Sequence, residues 1–330
     1  MRILTVSNSP DYQLSVEETE PPVVAGHDVV VRVAAAGVNR ADLLQAEGSY
    51  DPPKGVPDTL GLEISGEIIE IGEKVRAHAV GDTVCALLQG GGYAEYVAVP
   101  EWRVLPVPQG MDVVMAAAVP EVYATAYYNL FVLGWLEPGE TLLIQGGSSG
   151  VGMAAVQLAR AMGARVAVTV GNETKAEACK DWGAELSIQY NNEDFVAAVK
   201  SWADNKGVDV ILDMVGGDYF QRNMQALAYK GRLLNIAFLQ GAKASLNMAP
   251  LLMKNLSWTG STLRSQPEDV IHDLMQSMRT VVWPLFERGA IMPVIDSTYP
   301  FVEAMQAHAR MRSSEHIGKI LITFTSILSS

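Results

Sequence analysis

Up to about residue 115 the chain sets short apolar runs between turn residues, at 29–33, 66–71, 82–87 and 93–99. Runs of this length with β-branched residues predict a β-rich, barrel-like domain. From Ala116 the texture changes: an apolar helical stretch reaches Leu133, the turn Glu137-Pro138-Gly139-Glu140 follows, and strands then alternate with helices. Strands are expected over 141–145, 165–170, 185–190, 208–213, 232–236 and 256–259, and helices over 151–162, 175–182, 194–203 and 219–228. Such alternation predicts a parallel sheet covered on both faces, the doubly wound architecture. After Pro267 a long helical segment runs to about Gly289, a second lies near 302–312, and an apolar strand fills 319–324. These do not extend the alternation, so the chain is expected to return to its first domain. The expected division is a β-rich catalytic domain over 1–120 and 264–330, interrupted by a doubly wound nucleotide-binding domain over 121–263.

Charge and cysteine content narrow the classes of function. A formal net charge of −13 disfavours nucleic acid and anionic membrane as partners, since phosphate binding needs clustered Lys and Arg. No apolar run reaches the roughly 18 residues of a membrane span, and the start runs into polar Ser7-Asn8-Ser9 instead of a signal-peptide core. Cys85 and Cys179 are too few for a disulfide framework or a cysteine-built zinc site. A cytoplasmic location is expected.

Candidate chemistry begins where the run 141–145 enters Gly146-Gly147-Ser148-Ser149-Gly150-Val151-Gly152 and an alanine-rich helix. Strand, glycine turn and helix start together seat a pyrophosphate, because side chains at the turn would hold phosphates away from the backbone N–H groups and the helix dipole. Gly147, Gly150 and Gly152 meet that demand, with Ser149 in the place of the middle glycine of G-x-G-x-x-G. The same stretch satisfies G-x-S-x-G, a hydrolase elbow with Ser148 as nucleophile, His308 or His316 as base and Gly90-Gly91-Gly92 as oxyanion loop. Gly152, the full strand-helix series and a β-rich domain that a hydrolase would not need weigh against it.

The second strand ends Val168-Thr169-Val170-Gly171-Asn172, without the carboxylate that an NAD enzyme sets about 20 residues past the turn for the ribose 2′-hydroxyl. Lys175 supplies a cation, Asn172 an amide and Tyr190 a phenol, a set suited to the 2′-phosphate of NADPH. Glu173 is the residue that argues otherwise.

Asn39-Arg40-Ala41-Asp42-Leu43, 48–53, 61–66 and 90–97 resemble the successive signatures of zeta-crystallin-like quinone oxidoreductases, in the zinc-free part of the medium-chain dehydrogenase/reductase superfamily. Asp213-Met214-Val215-Gly216-Gly217, Ser261-Thr262-Leu263-Arg264 and His316-Ile317-Gly318-Lys319-Ile320 extend the likeness over essentially the whole chain. Tyr50-Asp51-Pro52-Pro53 and Leu263-Arg264 most resemble the tumour-suppressor-inducible branch. The resemblance implies an α/β protein: a GroES-like β-barrel catalytic domain with an inserted Rossmann domain, and NADPH between the two. It implies Asn39, Asp42 and Tyr50 as catalytic residues near nicotinamide and acceptor. Thr125, Gly147, Ser149, Gly150, Val151 and Gly152 would line the nicotinamide and phosphates, and Asn172, Lys175 and Tyr190 the 2′-phosphate. Gly216, Phe238, Leu263, Arg264 and Lys319 would complete the cleft. Bland alternatives stand beside three of these: Asp42 as a helix cap, Phe238 as core and Arg264 as partner of an acidic surface group.

Zinc-dependent relatives have a cysteine where this chain has Asn39, a histidine where it has Leu62, and a four-cysteine lobe that is missing here, so no metal is expected. The implied reaction is hydride transfer from NADPH to a quinone or similar small electrophile, dominated by positioning. Tyr50 is the candidate to orient the acceptor or protonate it. Reduction of a 2-alkenal or enone is the rival activity, and an NADPH-binding structural or sensing protein the rival class. A homodimer is expected, paired through the 256–259 strand at a sheet edge.

Overall fold

The computed structural model describes residues 1–7 and 11–324. Two compact units emerge, one comprising 1–124, 264–289 and 293–330, the other 125–263 and 290–292. The short segment Ala290–Met292, assigned from sequence to the catalytic domain, clusters with the second unit, where Gln157 accepts from Met292 N (3.0 Å) and donates to its carbonyl (2.8 Å).

In the first unit a seven-stranded sheet is organised around Asp28–Val38. One edge of this strand pairs with Glu63–Ile71; the other is shared between Tyr96–Pro100 and Lys319–Thr323. The long strand therefore brings the N-terminal stretch and the last described strand of the chain side by side. Beyond Glu63–Ile71 come Thr83–Leu87 and Val104–Pro106, and beyond Lys319–Thr323 comes Ile295–Pro300. Val29, Val31, Ile64, Ile68, Val84 and Ile320 form the centre of its core, all inaccessible to solvent.

Six parallel strands make the sheet of the second unit, in the order Leu186–Gln189, Arg165–Val170, Thr141–Gln145, Val208–Asp213, Leu227–Asn235, Ser257–Gly260. This is the doubly wound topology, and its first strand in sequence, Thr141–Gln145, lies inside the sheet with the glycine turn at its C-terminal end. Helices Gly150–Ala161, Glu173–Trp182, Phe195–Trp202 and Tyr219–Ala226 supply the crossovers.

Several elements differ from the sequence expectation. The apolar stretch 116–133 divides into Val113–Ala116, Pro120–Tyr127 and a π-helical turn, Tyr128–Leu133, because Pro120 opens a new helix. The segment after Pro267 is helical at Glu268–Ser277 and Trp283–Glu287 with a π turn between them, placed where Pro284 can offer no backbone donor. Strands Arg2–Val6, Leu14–Glu18, Val104–Pro106 and Ile295–Pro300 also join sheets without a clear apolar alternation to announce them. Among the described residues no helix is long and apolar enough to cross a membrane.

Candidate functional site

The first unit holds a buried polar cluster at the C-terminal end of Asp28–Val38. Lys319, 1 % exposed, donates to Val38 O (2.9 Å), Asn39 Oδ1 (2.8 Å) and Glu63 Oε1 (2.6 Å). An ammonium has three donors, so all are taken. Lys319 thus has nothing left to offer a cofactor, and the cleft-lining role implied for it gives way to that of a counter-ion for Glu63. Asn39 completes the arrangement by donating through Nδ2 to Glu63 Oε1 (2.9 Å). Gly37 is obligatory beside it, since a Cβ there would fall 2.2 Å from Glu63 Oε1.

Asp42 sits at the third position of helix Arg40–Ala46 and accepts the N–H of Asn39 (2.7 Å), the reciprocal half of a capping box. It also accepts from Gly61 N (3.0 Å) and the Tyr93 hydroxyl (3.2 Å). Burial lifts its pKa to about 6, against the opposing pull of those backbone donors and of Lys319. With 1 % exposure and both oxygens engaged, Asp42 fixes the Asn39 turn, and the capping alternative is the one its geometry supports. Tyr93 continues to His308 Nε2 (3.2 Å), whose Nδ1 meets the Tyr12 hydroxyl (2.8 Å). Both ring nitrogens of His308 are thereby occupied and burial lowers its pKa to about 3, which removes it as the base of a Ser148 elbow.

Tyr50 and Arg264 form the second group of this unit. Gly48, at φ +71°, turns the chain after the helix, and Tyr50 follows at the start of the proline-stiffened loop. The Arg264 guanidinium lies 5.3 Å from the centre of the Tyr50 ring, within cation–π range. Arg264 Nε donates to Gln89 O (2.5 Å), and Gln89 Nε2 donates to Arg264 O (3.2 Å). Its Nη1 and Nη2 are buried without a hydrogen-bond partner among the described residues. A Cβ on Gly90 would lie 2.9 Å from Val56 Cγ1, 3.1 Å from Pro57 O and 3.2 Å from Arg264 Nη2, so the bare backbone there lets the loop pack closely beside the guanidinium. Among the described residues no acidic side chain pairs with Arg264, so the surface partner considered for it is not seen. Burial, then Glu121, raise the Tyr50 pKa, while Arg264 opposes them.

Glu121 was not singled out from sequence, although a lone carboxylate inside the apolar stretch 116–133 was the available signal. It is the second residue of helix Pro120–Tyr127, and its N–H donates to Glu63 Oε2 (2.9 Å). Burial, then the Glu63 charge, push its carboxyl up to about 8, with Lys319 and Arg264 acting in the opposite sense.

The donor set at positions 39 and 62 does not fit zinc. Asn39 is spent on Lys319 and Glu63, Leu62 is buried apolar core, and the positive charge here is an ammonium. Among the described residues no group of three or more His, Cys, Asp or Glu could hold a metal.

In the second unit the turn has the geometry of a nucleotide cradle. Gly146 takes φ +81°, a Cβ on Gly147 would lie 2.5 Å from Val168 Cβ, and one on Gly152 would lie 2.5 Å from the carbonyl oxygens of Gly146 and Gly147. Those two glycines permit close packing of helix on strand. Ser149 caps the helix, accepting from Gly152 N (3.0 Å) and donating to Gly146 O (2.9 Å). Its hydroxyl thus closes the turn that a middle glycine would leave open, with Gly150 and Val151 starting the helix.

At the end of Arg165–Val170, Asn172 caps helix Glu173–Trp182 through Oδ1 to Lys175 N (3.0 Å) and keeps its Nδ2 as a donor. The Tyr190 hydroxyl would sit 2.9 Å from a Cβ at Gly171, which brings it to the same corner. Glu173 is held by Gln189 Nε2 (2.5 Å) and Lys180 (3.8 Å), so the residue that argued against a 2′-phosphate has partners of its own. Gly216 and Gly217, at φ +71° and +54°, follow the buried Asp213, which accepts from Val215 N and Asn235 Nδ2. Phe238, 48 % exposed, is not ordinary core; it packs edge-on against Phe220. Thr125 and Leu263 are buried at the two ends of this unit's main segment.

Residues 18–109 match the sequence family described as alcohol dehydrogenase GroES-like domain, and 150–280 that of zinc-binding dehydrogenase, a stretch that excludes positions 39 and 62. Rat quinone oxidoreductase is 31 % identical over 91 % of this chain and 90 % of its own length. The chain belongs to the quinone oxidoreductase family of medium-chain dehydrogenases/reductases. Among solved structures, Escherichia coli quinone oxidoreductase complexed with NADPH superposes with TM-score 0.87 at 27 % identity, covering 98 % of this chain and 99 % of that one. CurK enoyl reductase gives TM-score 0.83 at 25 % identity, covering 98 % of each.

Proposed function

We propose that this member of the family is an NADPH-dependent quinone oxidoreductase that works without zinc. The observation that carries the acceptor side is the buried Arg264 guanidinium, stacked on Tyr50 with two Nη groups awaiting an oxygen. A buried donor without a partner is costly unless a ligand completes it. A planar carbonyl compound would do so, lying on the Tyr50 ring and offering its oxygen to Arg264.

For the cofactor, the second unit offers the Gly147-to-Gly152 cradle for a pyrophosphate and Asn172, Lys175 and Tyr190 for a 2′-phosphate. NADPH bound there supplies a hydride. Asn39, Asp42 and Lys319 keep the Asn39 turn and Glu63 in place, and Tyr50 orients the acceptor. A quinone needs no Lewis acid to accept a hydride, so the ammonium-filled cluster at Asn39 is compatible with turnover. Exhaustive chelation should leave activity intact.

The enoyl reductase likeness favours activated alkenes as a second acceptor class. NADPH oxidation with matched panels of quinones and enones tests the order of preference; enones turning over faster than every quinone would reverse it. The edge strand Ser257–Gly260, with Trp258 38 % exposed, supports a homodimer through edge pairing. A sedimenting species of 35.6 kDa alone at micromolar concentration would exclude that. Two buried free thiols, Cys85 and Cys179, suit a cytoplasmic location.

A further inference from the structure

We infer that the first unit carries a second ligand site, a cavity beside the turn Glu101–Arg103 that takes a small aromatic carboxylate. It is independent of the acceptor reading above. The cavity holds about 390 Å³ and is lined by that turn, by the segments around His27 and Arg76, and by helix Glu268–Ser277 with the π turn Met278–Val282 that continues it. All of the lining belongs to the first unit. A volume of this size suits a ligand at the small end of what protein pockets hold.

Two carboxylates fix the walls. Glu101 accepts from Arg76 N (2.9 Å) and Ala77 N (3.0 Å) through Oε2 and meets His27 Nδ1 through Oε1 (2.9 Å). Glu268 accepts from Trp102 Nε1 (2.8 Å) and Arg103 Nη2 (2.7 Å), which clamps its helix to the turn. Burial works against the charge on Glu101, but the donors around it hold its pKa at about 2. The carboxylate of the lining is therefore an anion with both oxygens spent. Walls tied in this way are set before a ligand arrives, so little ordering is left for binding to impose.

The surface these walls present has an apolar part and a cationic part. Val104, Leu105 and Met275 are buried and give an apolar floor, and Trp102 adds an indole whose centre is 5.9 Å from that of His27. Arg76 spends Nη1 on the carbonyls of Glu73 (3.0 Å) and Val75 (2.7 Å), which holds its guanidinium in place and leaves Nε and Nη2 without a partner among the described residues. Arg279, on the π turn, is exposed and makes no hydrogen bond or ion pair among the described residues. Asp82 and Asp273, which stand beside His78 (4.0 Å) and His272 (3.8 Å), are not in the lining. In a chain with 37 acidic residues against 24 Lys and Arg, two unpaired arginines on one cavity are not a by-product of composition. Their planar forks match a carboxylate, and the floor with the Trp102 indole matches a flat ring.

Titration of the full chain with α-naphthoate, followed by calorimetry and by the indole N–H resonance of Trp102, tests the site. That resonance is identified by its loss in Trp102→Phe. Wild type should bind α-naphthoate and the resonance should shift. The neutral α-naphthamide, acetate without a ring, and inorganic phosphate should each bind more weakly by about tenfold or more. Arg279→Gln should weaken α-naphthoate by roughly ten- to a hundredfold, the scale of one charge-assisted contact, with thermal stability unchanged. Tyr50→Ala should bind it as wild type does, since Tyr50 is not in the lining, which separates this site from the acceptor group. No binding at millimolar α-naphthoate, an unmoved Trp102 resonance or undiminished affinity in Arg279→Gln would overturn the proposal. So would loss of binding in Tyr50→Ala, or phosphate held as tightly as α-naphthoate.

Discussion

Replacing Lys319 with methionine removes the ammonium while leaving a side chain of similar length in the core. Three acceptors lose their donor at once: Val38 O, Asn39 Oδ1 and Glu63 Oε1. Glu63, fully buried, retains Asn39 Nδ2 and Glu121 N but no cation. Breaking one side of a buried pair costs about 3–5 kcal/mol, most of it from the charge left behind. At roughly 1.4 kcal/mol per factor of ten, the middle of that range is close to a thousandfold in the opening equilibrium. Hydrogen exchange of the Asp28–Val38 and Lys319–Thr323 strands should accelerate by that order, with the six-stranded sheet as internal reference. In Lys319→Met/Glu63→Gln the stranded charge is gone, and at least half of the loss should return as coupling between the two sites. A single variant within about 1 kcal/mol of wild type, or a double variant worse than the sum of its parts, would refute the view that this cluster is held together by mutual charge compensation.

Asp42 makes stability depend on pH. Its folded pKa of about 6 lies above the unfolded value of 3.8, so its contribution is fully present below about pH 4 and is lost as pH rises through 6. Urea unfolding should show Asp42→Asn at its greatest disadvantage to wild type near pH 4, the gap narrowing by about 3 kcal/mol by pH 7; a gap independent of pH would contradict the shift. Lys175→Ala should weaken NADPH binding by roughly ten- to a hundredfold, the scale of one charge-assisted contact, and leave NADH unchanged in a fluorescence titration. Gly152→Ala puts a methyl group 2.5 Å from two carbonyl oxygens, so calorimetry should show a loss of about 1–3 kcal/mol together with weaker NADPH binding.

Which parts of this were legible in the chain follows from burial. Strands such as Thr141–Gln145 and Val208–Asp213 are covered on both faces, so they read as continuous apolar runs with boundaries that sequence can find. Ile295–Pro300 is an edge strand of mixed polar residues ending in proline, and Leu14–Glu18 is mostly exposed; neither carries a hydrophobic period. In the site, the glycine turn was legible because its chemistry is local. Lys319 was not, because Glu63, which fixes its role, lies 256 residues away and only the pairing of Lys319–Thr323 with Asp28–Val38 brings them together. Glu121 was missed for a related reason: burial, and then the charge of Glu63 on another strand, hold its carboxyl proton more tightly, and no spacing reveals either.

The central claim is that Tyr50 and Arg264 hold a quinone for reduction by NADPH. Steady-state NADPH oxidation with a quinone panel, compared among wild type, Tyr50→Phe and Tyr50→Ala, tests it most directly. Wild type should turn over, Tyr50→Phe should keep the stacking surface and most of the activity, and Tyr50→Ala should lose both quinone affinity and rate while NADPH binding and thermal stability hold. Unchanged turnover in Tyr50→Ala, or a loss matched by an equal fall in stability and NADPH affinity, would contradict it.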